Sequence, residues 1–113
     1  MKLFDEELKI ENIYQYYDEP LLFTCIGSKG TRYLSLLVDE EDECSVWLYL
    51  LLDDQLHNDL ISSKIDIKSA YLHSTVYKIW TELNTGSLVG TVQLDSNDID
   101  MEDLPFGGEY LLG

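Results

Sequence analysis

Three apolar runs of strand length, separated by short turn-forming segments, constrain the fold of this chain most. The runs are LLFTCIG (21–27), TRYLSLLVD (31–39) and CSVWLYLLL (44–52). Between the first two, SKG supplies Gly30 for positive φ, a pattern that predicts a β-hairpin. Both alternating faces of the third run are apolar, which is typical of a central strand covered on both sides. We therefore expect Leu48 and Leu50 to be among the most buried residues.

Three further runs extend the same pattern: LKIENIYQYY (8–17), TVYKIWTEL (75–83) and LVGTVQLD (88–95). The first breaks its alternation near Asn12, which indicates a bulge. In the last, Leu88, Val92 and Leu94 are expected on one face, with Gly90 as a bulge or a close contact. The tail beyond this run reads as an acidic, Gly-containing loop. Its apolar residues suggest that the end docks back on the domain: Phe106, Tyr110, Leu111 and Leu112.

Two short helices are predicted between the fourth and fifth of these strands. Asp53 or Asp54 can cap the first helix, and Asp66 can cap the second. The apolar stripes at helical spacing are Leu56, Leu60 and Ile61 in the first helix and Ile67, Ala70 and Tyr71 in the second. The chain, residues 1–113, is therefore predicted to be a single α+β domain. It contains a mostly antiparallel meander of about six strands, with two short helices inserted after the fourth strand.

The charge of the chain restricts its partners. Twenty-two Asp and Glu against seven Lys and Arg give 22 − 7 = 15 net negative charges, and no Lys or Arg follows Lys78. Solubility asks for a net charge of only about 2–8 in a small domain. A field of this sign repels phosphate groups, so direct binding to nucleic acid or to an anionic membrane is not expected. Basic protein surfaces and cations are the expected partners.

Residues that could carry chemistry form no recognisable motif. Cys25 and Cys44 lack metal-site spacing, and their local negative charge disfavours a reactive thiolate. The sequence leaves open whether they form a disulfide. His57 and His73 fall on the two predicted helices and are read as ordinary surface or half-buried histidines. We expect no catalytic residue and no cofactor.

The acidic segment near the C-terminus and the first residues of the chain also match no known motif. The acidic segment that begins at Asp95 fails as an EF-hand loop, because Asp100 stands where Gly is needed and Phe106 where Glu is needed. We therefore expect no metal site. The first residues lack the apolar core of a signal peptide, which indicates a cytoplasmic protein.

The densest acidic run, DEEDE, lies between two strongly apolar strands. As a hairpin tip it would keep those strands from pairing with other molecules, which is a structural explanation. Carboxylates held on a rigid sheet would also speed encounter with a basic protein. The candidate partner-binding residues are Asp39, Glu40, Glu41, Asp42 and Glu43, with Asp98, Asp100, Glu102 and Asp103 as a second patch.

The functional hypothesis is a non-enzymatic acidic domain that binds and inhibits a basic toxin, nuclease or defence effector. An immunity protein, an antitoxin or an anti-defence DNA mimic would each fit. The alternative is a structural or regulatory subunit of a bacterial defence or toxin system, in which acidity serves only solubility. The location of the acids discriminates between them, because a mimic needs them on one rigid face.

The pattern PLLFTC…RYLSLLVDEEDE…WLYLLL…KIDIKSAYL resembles a small, uncharacterised bacterial domain family. Its members share a hairpin, a VDE-containing turn, a Trp strand and an IDLRDA-like helix. In this chain IDIKSA (65–70) departs from the last motif, with Lys68 for Arg and Ser69 for Asp. The resemblance covers roughly residues 20–75. It implies an α+β fold and a bacterial or phage source, and brings no activity or site residues with it.

Overall fold

The chain folds as an antiparallel meander in which each strand pairs with the next along the sequence. A computed structural model describes residues 1–112. The strands are β1 (Lys2–Leu3), β2 (Glu6–Tyr17), β3 (Glu19–Gly27), β4 (Arg32–Glu41), β5 (Cys44–Leu52), β6 (Val76–Glu82) and β7 (Leu88–Leu94). β5 has the predicted bounds, and its Leu48 and Leu50 are 2% and 0% exposed, which confirms the prediction of a central buried strand.

Two helices follow β5: α1 (Asp54–Ile61) and α2 (Ile67–Leu72). Asp53 caps α1 by accepting a hydrogen bond from the Leu56 amide at 2.7 Å, and Asp66 caps α2 through the Ser69 amide at 2.8 Å. These carboxylates satisfy amide donors that the first turn of a helix leaves free. Within residues 1–112, no helix has the length and apolar content needed to cross a bilayer.

The helices and the C-terminal segment cover one side of the sheet, here called the helix-covered face. Its core combines strand leucines such as Leu34 and Leu50 with Leu60 of α1 and Tyr71 of α2. Tyr71 is fully buried, and its hydroxyl donates to the Leu34 carbonyl oxygen at 2.7 Å, with the Leu48 carbonyl oxygen at 3.1 Å as a second acceptor. The side chain therefore ties α2 to both central strands.

The opposite side of the sheet, here called the concave face, encloses a second and smaller core. It contains Leu3, Leu8, Phe23, Cys25, Tyr33, Tyr49 and Ile79. The sheet curls around this core, since Phe4, in the turn after β1, packs edge-on against Tyr77 of β6 with ring centroids 5.0 Å apart. The result is a nearly barrel-shaped sheet whose two faces carry separate cores.

The predicted class and meander are confirmed, whereas the strand count was wrong. The sheet has seven strands instead of six, so the helices follow the fifth strand instead of the fourth. The missed strand, β1, is two residues long and joins β2 through Phe4 and Asp5, whose φ angles are 48° and 63°. This turn contains no Gly or Asn, so its sequence lacked the usual hairpin signal.

Two local predictions were wrong in part. A register shift opposite Gly90 pairs Leu88 with Thr81, so Leu88 faces the concave core instead of sharing a face with Val92 and Leu94. In the C-terminal segment only one of the four expected residues, Leu111, is buried, while Phe106 is 84% exposed. Ile99 and Leu104 anchor this segment as well.

Candidate functional site: the acidic face

A β-bulge determines where the first acidic run points. Leu37 pairs with Trp47, but the next paired residue of β4 is Asp39, opposite Val46, so Val38 is the extra residue. Directly paired residues of antiparallel strands point to the same side of a sheet. Asp39 therefore points to the helix-covered face, together with Val46. Without the bulge, strict alternation would turn it to the concave face.

Glu41 is fixed on the same face by a tryptophan. Trp80 Nε1 of β6 donates to Glu41 Oε1 at 2.9 Å, across the intervening strand β5. Lys78, two residues earlier, places its Nζ 5.3 Å from the centroid of the Trp80 ring. The DEEDE segment is thus mostly strand, since Asp39, Glu40 and Glu41 belong to β4 and only Asp42 and Glu43 form the hairpin turn. The prediction that all five residues form the tip was wrong.

The second acidic patch is held by two short 3-10 turns, Ser96–Asp98 and Met101–Asp103. Ile99 and Leu104, which flank the second turn, are both buried and anchor it to the helix-covered core, while Asp100 and Glu102 between them stay exposed. The Asp100 carboxylate accepts a hydrogen bond from the Glu102 amide at 3.0 Å. This segment therefore presents its carboxylates from defined backbone positions.

The two patches lie within electrostatic reach of each other. Partial burial raises the pKa of Asp103, and the carboxylates of Asp100, Asp39 and Glu102 raise it further, while Lys78 opposes them. Asp39 and Asp103 are distant in sequence, so this coupling arises from the fold. We call the resulting surface the acidic face, and it consists of Asp39, Glu41, Asp100, Glu102 and Asp103, with Lys78 as the cation among them.

Four predicted residues do not join this face. Glu40 pairs with Ser45 and points to the other side of the sheet. Asp42 and Glu43 form the turn, and Asp98 belongs to a capping box with Asp95. Sequence reasoning also missed the roles of Trp80 and Lys78. Lys78 could have been recognised from the sequence, because it is the last Lys or Arg and every charged residue after it is Asp or Glu.

The histidines and cysteines are not brought together. Cys25 lies in the concave core, whereas Cys44 pairs with Glu41 on the other side of the sheet, and both thiols are free. Burial raises the pKa of the Cys25 thiol to about 11, so this thiol stays protonated at neutral pH. Burial lowers the pKa of His57, which lies near the Arg32–Glu11 ion pair. In the described part of the chain, no three His, Cys, Asp or Glu side chains are placed to hold a metal ion.

Comparisons with known proteins add a family but no activity. No curated protein and no solved structure matches the chain. The model of a family of unknown function, DUF6575, matches residues 3–111, which is far more of the chain than the 20–75 covered by the predicted resemblance. That resemblance to an uncharacterised small-domain family is confirmed. The chain belongs to the family of unknown function DUF6575.

Proposed function

We propose that this protein is a non-enzymatic interaction domain that binds a basic protein through its acidic face and thereby inhibits it. The partner would be a toxin, a nuclease or another defence effector, and the domain would act as an immunity protein, an antitoxin or an anti-defence DNA mimic. The observation that carries the proposal is the proximity of Asp39, on the helix-covered face of the sheet, to Asp103 of the C-terminal segment that packs on that face. The site of action would be the cytoplasm, where the free Cys25 and Cys44 stay reduced.

Electrostatics support this function in two ways. A net charge of −15 steers a basic partner toward the domain and raises the rate of encounter. In addition, partial burial raises the pKa of Asp103, and repulsion from the carboxylates of Asp100, Asp39 and Glu102 raises it further. A lysine or arginine brought by a partner would relieve that repulsion, so the acidic face is better suited to a complex than to the free state.

The ordering of Glu41 also favours binding. Its carboxylate is already oriented by the Trp80 indole, which leaves less side-chain freedom to lose when a partner docks. A carboxylate on a flexible loop would lose more side-chain freedom on binding.

A second candidate is a structural or regulatory subunit in which acidity serves only solubility. Several acidic residues support this candidate, because they stabilise the fold at positions away from the acidic face. Asp53 and Asp66 cap the two helices, and Glu11 pairs with Arg32 through two hydrogen bonds of 2.8 Å. Part of the net charge is therefore explained by folding alone.

Two variants of equal charge separate these candidates. The face variant carries Asp39→Asn, Glu41→Gln and Asp103→Asn. The control variant carries Glu40→Gln, Asp42→Asn and Glu43→Gln, which removes as many charges from the same hairpin without touching the acidic face. The partner is first identified by crosslinking and mass spectrometry in the host, and stopped-flow association is then measured at low and high salt.

The proposal predicts that the face variant associates several-fold more slowly and with a weaker salt dependence, because charges that steer encounter act mainly on the association rate. The control variant should stay close to the native chain. Equal effects of the two variants, or association that does not change with salt, would reject the acidic face and favour the second candidate.

A further inference from the structure

A cavity opens on the concave face, on the side of the sheet away from Asp39 and Glu41. Its volume is about 310 Å³, and it lies between β2 and β3 on one side and β5 and β6 on the other. Its lining includes Phe23, Cys25, Ser45, Trp47, Tyr49 and Thr81. This composition of aromatic walls with a few polar groups, in the mouth of a curled sheet, is typical of small-molecule sites.

The walls of the cavity are held in place without a ligand. The Phe23 and Trp47 rings meet edge to face, with centroids 5.6 Å apart and an interplanar angle of 74°. Trp47 Nε1 donates to Thr81 Oγ1 at 2.9 Å, which fixes the indole. Cys25 Sγ lies 3.6 Å from Ser35 Oγ behind the cavity. A preformed wall of this kind costs little to order when a ligand binds.

The charged side chains that line the cavity are acidic. Among the described residues that line it, two are glutamates, Glu19 and Glu82, and none is Lys, Arg or His. Glu19 is the first residue of β3 and Glu82 the last residue of β6, so both acidic residues lie at strand ends that border the cavity. The amino group of Met1, which also contributes to the lining, is engaged with Glu7 at 3.1 Å.

We propose that this cavity is a binding site for a small amphipathic cation, an amine attached to one aromatic or branched aliphatic body. The apolar body would lie against Phe23, Trp47 and Tyr49, and the ammonium group would lie at the mouth near Glu19. The cavity is at the small end of the range for ligand sites, about 300–1,000 Å³, which suits a small ligand. This site goes beyond the proposed function and does not depend on it.

The two tryptophans provide an internal reporter and an internal control. Trp47 Nε1 points into the cavity wall, whereas Trp80 Nε1 is bonded to Glu41 on the acidic face. In ¹⁵N-labelled protein, we would follow both indole signals by NMR during titration with phenethylamine. The comparison probes are phenethyl alcohol, which lacks the charge, hydrocinnamate, which reverses it, and ethylamine, which lacks the ring.

The proposal predicts a saturating shift of the Trp47 signal with phenethylamine, weaker binding of the alcohol and the carboxylate, and no saturation with ethylamine. Glu19→Gln should weaken phenethylamine binding by about two- to five-fold, the range of a solvent-exposed ion pair. Asp54→Asn on α1, outside both the cavity and the acidic face, serves as the control of equal charge and should leave it unchanged. Both substitutions replace partly or fully exposed side chains, so the fold should be retained.

Three results would overturn the proposal. The first is a Trp47 signal that does not saturate with phenethylamine, which would mean that the cavity does not bind this class of ligand. The second is equal affinity for the amine and the alcohol, or for the native chain and Glu19→Gln, which would remove the charge complementarity. The third is a shift of Trp80 that matches that of Trp47, which would reduce the effect to general attraction of cations to an acidic protein. None of these results depends on whether a basic partner protein exists.

Discussion

At the scale of single residues, Gly27 at the end of β3 leaves room for a buried carboxylate. A Cβ atom at this position would lie 2.5 Å from Glu6 Oε1. Glu6 Oε1 accepts a hydrogen bond from the Lys29 amide at 2.8 Å, and bonds from Thr31 and Lys29 lower the pKa of Glu6. The absence of a side chain at Gly27 therefore lets Glu6 hold the loop between β3 and β4.

Gly27→Ala is expected to lower the free energy of unfolding by about 1–3 kcal/mol, because the new methyl group overpacks the site of Glu6. Urea denaturation measures the change. Gly90→Ala is the control, since its Cβ would only make ordinary contact with Trp80 Cε3 at 3.7 Å, and it should be nearly neutral. In a chain that already carries Glu6→Ala, Gly27→Ala should lower the free energy of unfolding by less, because the clashing carboxylate is gone. An equal loss in both backgrounds would argue against the clash.

Tyr71 supplies the second prediction at this scale. Tyr71→Phe is expected to destabilise the protein by about 1 kcal/mol, because the hydroxyl donates to buried carbonyl oxygens of β4 and β5. The ring would remain, so no cavity forms. Tyr77→Phe is the matched control, since the described structure gives the Tyr77 hydroxyl no hydrogen bond while its ring packs against Phe4. Equal denaturant midpoints for the two variants would contradict the role of the Tyr71 hydroxyl.

At the scale of elements, the hairpin between β4 and β5 turns on two acids with positive φ, Asp42 at 49° and Glu43 at 62°. This geometry favours Asn-Gly, and a glutamate there is strained. Asp42→Asn with Glu43→Gly should therefore stabilise the protein by about 0.5–1 kcal/mol, as measured by thermal unfolding. Asp42→Asn with Glu43→Ala removes the same charge without the conformational gain. If this control stabilised equally, charge and not backbone strain would be the cause.

The elements also show where sequence reasoning succeeds and where it stops. β5 was predicted to the residue because its apolar alternation is uninterrupted, and the start of α2 was predicted because Asp66 caps a clear apolar stripe. The side-chain direction of Leu88 was wrong because a bulge resets the alternation, and a sequence does not show which residue is the extra one. β1 is too short to show any alternation, and it is fixed by contacts of Phe4 that are distant in sequence.

At the scale of the whole molecule, the sheet separates two surfaces of different chemistry. Acids on one face converge around Lys78, and an apolar cavity opens on the other. The density of acids in the sequence was enough to name the candidates, but it could not tell Asp39 from Glu40, which point to opposite sides. That distinction comes from the bulge at Val38, and the proximity of Asp103 comes from the docking of Ile99 and Leu104. Both are consequences of tertiary packing.

The excess of negative charge should itself limit stability. Self-repulsion weakens a folded chain of net charge −15, and salt screens it over about 8 Å at physiological ionic strength. We therefore expect the Tm to rise as sodium chloride is added at pH 7. Asp103→Asn should raise the free energy of unfolding by roughly 0.5 kcal/mol at low salt and reduce this salt dependence. Glu43→Gln removes one charge outside the acidic face and should do less.

The pH dependence of the Asp103→Asn effect follows from the sign of the pKa shift. Because the pKa of Asp103 is raised in the folded state above its ordinary 3.8, the folded protein binds this proton more tightly than the unfolded chain does. The penalty from partial burial and from repulsion is therefore complete above the raised pKa and disappears as pH falls through it toward 3.8. Thermal unfolding of both proteins between pH 7 and pH 4 should show their difference closing in that window. A difference that stayed constant, or grew as the pH fell, would mean that the pKa of Asp103 is not raised in the folded protein, and would remove the evidence that this carboxylate is partly buried among others.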